Sequence, residues 1–86
     1  KPEEEARQKI FEIHTRGMNL DDDVDFERLA RDTPDASGAD IKAMCTEAGM
    51  FAIRDERTTV EMDDFLDAWA KLEQAAEDED ISKTFA

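Results

Sequence analysis

The chain has 86 residues, enough for one small domain with a thin core, and a net charge of −13 from 24 acids against 11 bases. Hydrophobic residues at 40% are compatible with a fold, while charged residues at 41% exceed the quarter usual in globular chains. A field of this sign repels phosphate backbones and anionic bilayers, so neither nucleic acid nor membrane is an expected partner. No apolar run approaches the ~18 residues of a membrane span. The acidity has two readings: a module that meets basic surfaces, or a surface adapted to high salt. The single cysteine, Cys45, forbids an internal disulfide and points to a reducing, cytoplasmic setting. Beginning at Lys1-Pro2 without methionine, the chain reads as a piece of a longer protein.

The first helix is predicted over residues 2–16, with Pro2 in its first turn, Glu3 to Glu5 at its positive end, and Ala6, Ile10 and Ile13 at helical spacing. Gly17 stops it, and Met18 is expected to fold back onto Ile13. After "NLDDD", Asp25 is a cap for a short second helix that buries Phe26, Leu29 and Ala30, with Val24 as a staple onto Leu29 and Pro34 as the stop.

A third helix runs from Ser37 to about Glu56 and presents Ile41, Met44, Cys45, Ala48 and Ala52 as one stripe, with Phe51 beside it. Its start, "ASGADI", pairs Ser37 with Asp40 as a reciprocal cap. Gly38 directly after the cap costs helix stability, so either it is incidental or something must approach that backbone closely. "RTTV" forms a turn, and a fourth helix carries Phe65, Ala68, Trp69, Leu72 and Ala76, with Asp63 and Asp64 favouring its dipole. No strand is indicated. The expected fold is all-α, a small four-helix bundle over residues 1–76. Residues 77–86 are expected to form an acidic, flexible tail in which "EDED" frays before a final "ISKTFA".

No catalytic constellation is present. Cys45 lies on the apolar stripe and reads as a core residue. Asp21, Asp22 and Asp23 lack the spaced ligands and turn glycine of a calcium loop, and no phosphate-cradling GxxxxGK[ST] occurs. His14 flanks the first helix's apolar face near its C-terminal end, where a structural role and a ligand contact both remain open.

Taken together, "IFEIHTRGMNLDDDVDFERLARDTPDASGADIKAMCTEAGMFAIRDE" resembles the C-terminal helical lid of AAA ATPases over roughly residues 1–74. "IHTRGM", "VDFERLA", "SGADIKAMCTEA" and "AIR" follow the general pattern, and "EAGMFAIR" is most similar to the proteasome-activating nucleotidase and proteasomal ATPase branch. The resemblance implies a lid that covers ATP or ADP held against a larger P-loop subdomain, which would also bind the Mg2+. His14 matches a histidine near the ribose and adenine, Ile10 an apolar position beside the adenine, and Gly38 and Ala39 the pair that lets the helix start approach the nucleotide. Alanine at 39 stands where many AAA relatives outside this branch carry a phosphate-sensing arginine.

Implied partners are the large subdomain, neighbouring subunits of a homohexamer, protein substrates, and the α-ring of a 20S proteasome. The last would receive Thr84-Phe85-Ala86, which depart from the branch's hydrophobic, tyrosine, any-residue ending. Without a P-loop the piece by itself is expected neither to hydrolyse ATP nor to bind it measurably. The alternatives are a free-standing acidic interaction module and the lid of a cell-division-control type ATPase.

Overall fold

A computed structural model describes the backbone of residues 3–85 and the side chains of residues 3–78. Its helices are α1 (Glu4–His14), α2 (Phe26–Asp32), α3 (Gly38–Arg54) and α4 (Met62–Phe85). Among the described residues there is no strand, only an isolated parallel bridge between Leu20 and Val60. The four-helix, all-α architecture is therefore as expected.

The third helix follows its sequence pattern closely. Ser37 Oγ accepts from the Asp40 N–H at 3.1 Å while Asp40 Oδ2 accepts from the Ser37 N–H at 2.9 Å, completing the capping box. Ile41, Met44, Cys45, Ala48 and Ala52 are all buried. Burial pushes the Cys45 thiol up to about 12, so it packs as a small hydrophobe. At the far end Glu56 takes φ 57, and the N–H groups of Glu56 and Arg57 return to the carbonyls of Ile53 and Ala52 at 2.9 Å each. This is a left-handed C-terminal cap built on a glutamate instead of the usual glycine.

In α1 the buried face differs from the expected one. Arg7 and Phe11 are buried, Ile10 is partly so, Ala6 is exposed and Ile13 is 49% exposed. Pro34 explains the burial of an arginine. It has no N–H to offer the carbonyl four residues earlier, which leaves the Ala30 oxygen in the last turn of α2 without its intrahelical partner. Arg7 fills that place: its Nε and Nη2 donate to the Ala30 oxygen at 3.0 and 2.8 Å. Phe11 stacks on Phe26 with ring centroids 6.0 Å apart, and Phe26 meets Phe65 edge-on at 6.1 Å, joining α1, α2 and α4 through three rings.

Gly17 has φ 82 and closes a turn in which the Met18 N–H donates to the Thr15 oxygen at 3.0 Å. Positive φ there is what glycine supplies. Ile13 is exposed, while Met18 packs partly buried against the core. Its methyl lies 3.2 Å from where a Cβ on Gly49 would stand, so it reaches across to α3. Asp25 caps α2 as expected, accepting from the Arg28 N–H at 3.1 Å, and Leu29 belongs to the core cluster against which Val24 packs.

The two connections that precede α2 and α4 are tied together. Val60 donates to the Asn19 oxygen at 2.8 Å, Asp21 donates to the Val60 oxygen at 2.9 Å, and Asp23 Oδ1 accepts from the Met62 N–H at 3.0 Å. Asp23 therefore caps α4 from a distant loop. Asp64 is not merely a first-turn charge: it is buried, accepts from the Glu61 N–H at 2.8 Å, and pairs with Arg57 on the preceding turn.

The acidic run from Glu77 to Asp80, expected to fray, lies within α4, which continues to Phe85. Fifteen helical residues already precede it, so each added residue needs no new nucleus, and glutamate is a good helix former. The side chains of Thr84 and Phe85, and all of Ala86, lie outside the described residues.

Candidate functional site

The residues singled out on α1 and at the start of α3 fall on adjoining elements because α1 and the chain beyond it run alongside α3 in the same direction. Ile10 lies at the start of α3 and Met18 near its middle. The clearest contact is between Ile10 and Gly38: a Cβ on Gly38 would meet Ile10 Cδ1 at 3.9 Å and nothing nearer. That is ordinary van der Waals spacing, so packing within the bundle does not require glycine at this position. Ala39 follows, exposed.

His14 lies one turn beyond Ile10 on the same side of α1, in its last turn, with its ring exposed. The structure thus brings Ile10 against Gly38, and leaves His14 on the same helix face without a hydrogen bond or ion pair among the described residues.

The start of α3 adds two donors. Ser37 satisfies the Asp40 N–H by its side chain and the Ile41 N–H by its carbonyl at 3.1 Å, while the N–H groups of Gly38 and Ala39 have no partner among the described residues. A glycine and an alanine leave these donors uncovered at the positive end of a 17-residue helix. Ile10 supplies an apolar wall and His14 a ring that can donate or accept. Such a surface suits a flat, partly apolar group carrying hydrogen-bond acceptors. It has no nucleophile, no paired carboxylate and, among the described residues, no cluster of three or more metal-ligating side chains.

Residues 23–67, just over half of the chain, match the family model described as the AAA+ lid domain. The chain belongs to this family. It is 62% identical over 87 residues to a proteasome-activating nucleotidase 1 of Haloferax volcanii, a match that covers all of the chain and 21% of that protein. A proteasome-activating nucleotidase of Methanopyrus kandleri is 59% identical, with 91% of the chain and 18% of the relative covered. A 26S proteasome regulatory subunit 4 homolog of Encephalitozoon cuniculi is 52% identical, with 83% and 17% covered. The chain spans about a fifth of the length of these relatives. As a lid domain it is one part of the architecture those relatives contain, and no helix among its described residues is long and apolar enough to cross a membrane.

The sequence reading missed Arg7 and Phe11, which hold α1, the helix carrying Ile10 and His14, against α2. The available signal was Pro34: a proline at the end of a short helix orphans a carbonyl, and a long donor elsewhere must be sought to satisfy it.

Proposed function

We propose that this chain is the lid of a proteasome-activating ATPase, and that Ile10, His14, Gly38 and Ala39 form its side of the nucleotide site. One observation carries the reading: the uncovered Gly38 and Ala39 donors lie beside Ile10, and Gly38 answers no packing need of the bundle. Ile10 would pack on the adenine, the His14 ring would meet the ribose and adenine edge, and the small residues at 38 and 39 would let the helix start come close. ATP supplies the phosphoryl chemistry. The phosphates and Mg2+ belong to a larger subdomain of the parent polypeptide, since these 86 residues contain no P-loop.

In the assembled protein the bundle packs in a homohexamer of cytoplasmic ATPase subunits that unfold protein substrates. Thr84, Phe85 and Ala86 dock on the α-ring of the 20S proteasome, with Phe85 as the apolar anchor and the terminal carboxylate as the partner for a lysine.

The test is made in the parent polypeptide. His14→Ala is expected to weaken ADP binding about tenfold, the loss of one good contact, with its melting temperature unchanged. Unaltered affinity would remove His14 from the site. For the tail, a peptide ending "ISKTFA" is expected to accelerate hydrolysis of a small fluorogenic peptide by the matching 20S particle. The Phe85→Ala version should not, and equal activity of the two would rule out the anchor.

A further inference from the structure

On α4, Trp69, Leu72, Glu73 and Ala76 follow one another at intervals of three, one and three residues, which places them on one helix face. Opposite them stand Asp35, in the loop before α3, and Asp40, in the first turn of α3, and together the six line an open cleft of about 230 Å³. This lies below the ~300–1,000 Å³ of sites for whole small molecules and suits one long side chain. Its floor is apolar: Trp69 and Leu72 pack on the core but remain half-buried.

Its rim carries only acids, with no basic residue among the six. The Asp40 carboxylate is held in place by the capping box, which engages one oxygen and leaves Oδ1 able to accept. Glu73 sits one turn beyond Trp69, so its carboxylate borders the indole. Lys71, the nearest basic residue along α4, is tied to Glu47 at 2.8 Å.

We propose that this cleft receives an arginine side chain from a basic partner polypeptide. The guanidinium stacks on the Trp69 indole while its fork of N–H groups meets the carboxylates of Asp40 and Glu73. Charge complementarity selects the occupant. A second copy of this chain would bring another −13 charge to an acidic rim, whereas a basic segment is drawn to it. Arginine fits better than lysine because its planar cation both stacks on an aromatic face and bonds carboxylates in a fork, and is more weakly hydrated. The proposal stands independently of the nucleotide reading.

Trp69 is the sole tryptophan and reports on its own site. The 86-residue chain is titrated with the pentapeptide acetyl-Ser-Leu-Arg-Leu-Ser-amide and its Lys and Gln counterparts, with indole emission as readout and helical circular dichroism as a check. The arginine peptide is expected to give a saturable change, the glutamine peptide to bind about tenfold more weakly, and lysine to fall between. Glu73→Lys, on the exposed side of α4, is expected to lose at least as much with helicity intact; if that variant fails to fold, Glu73→Gln replaces it. Equal binding of the arginine and glutamine peptides, or full binding by the Glu73 variant, overturns the proposal. So does an emission change that follows protein concentration and dimer formation instead of peptide.

Discussion

Arg57 holds both oxygens of the Asp64 carboxylate, with Nη1 2.8 Å from Oδ2 and Nη2 2.7 Å from Oδ1. The same guanidinium donates to the Thr59 oxygen at 3.1 Å and to Asp55 at 3.0 Å, so one side chain ties the end of α3 to the first turn of α4. Because Arg57 hydrogen-bonds it and the Glu61 N–H adds a further donor, Asp64 is held below the ordinary aspartate range. A depressed folded-state pKa means that the pair stabilises the bundle fully above the unfolded value near ~4. That stability is lost as pH falls through the lower folded value. Urea midpoints of the chain and of Asp64→Asn should differ clearly at pH 7, and the difference should shrink as pH falls below the ordinary aspartate range.

Arg7 satisfies the carbonyl that Pro34 leaves open. Arg7→Met keeps the apolar stem but removes both donors, and is expected to cost about 1–3 kcal/mol, the penalty for a buried acceptor left alone. Urea unfolding measures it. A loss below a few tenths of a kcal/mol would mean that water takes over the Ala30 oxygen.

Glu56 occupies a left-handed conformation that glycine adopts without penalty. Glu56→Gly is therefore expected to stabilise the chain by about 1 kcal/mol, offset in part by the greater freedom of glycine when unfolded. A raised melting temperature is the expected readout.

Gly38 has only Ile10 Cδ1 near its missing Cβ, at 3.9 Å. Gly38→Val should change the stability of the isolated chain by less than about 1 kcal/mol, because helix propensity and a loose contact are all that change. In the parent polypeptide the proposed nucleotide site predicts that the same substitution weakens nucleotide binding. Unfolding of the chain with affinity spared would assign the glycine to packing instead.

A net charge of −13 on 86 residues makes self-repulsion a function of salt. Screening shortens from ~10 Å at 0.1 M to ~3 Å at 1 M, so helicity and melting temperature are expected to rise between these concentrations. Unchanged circular dichroism and melting over that range would count against adaptation to high salt.

How much of this was legible beforehand depends on whether the controlling partner was local. The α3 stripe was readable because five small or aliphatic residues repeat at helical spacing and the cap that starts the helix lies within four residues. The face of α1 was not. Two stripes compete on a short helix, and the winning one contains an arginine whose value comes from the Ala30 carbonyl, 23 residues away. Asp64 was read for its effect on the helix dipole because Arg57 is seven residues back, across a turn that helical periodicity does not describe. In the candidate site, the capping box and the oddity of Gly38 were visible as local chemistry. The closeness of Ile10 to Gly38 depends on how α1 packs on α3, and only family resemblance suggested it.

The ties among Asn19, Asp21, Asp23, Val60 and Met62 anchor the first turn of α4 to the loop that leaves α1. A helix of 24 residues extends about 36 Å from that anchor at 1.5 Å per residue. Phe65 and Ala68 are fully buried and Trp69 and Leu72 pack on the core, so the first half of the helix is seated on the bundle and fixes the direction in which the rest of it is carried.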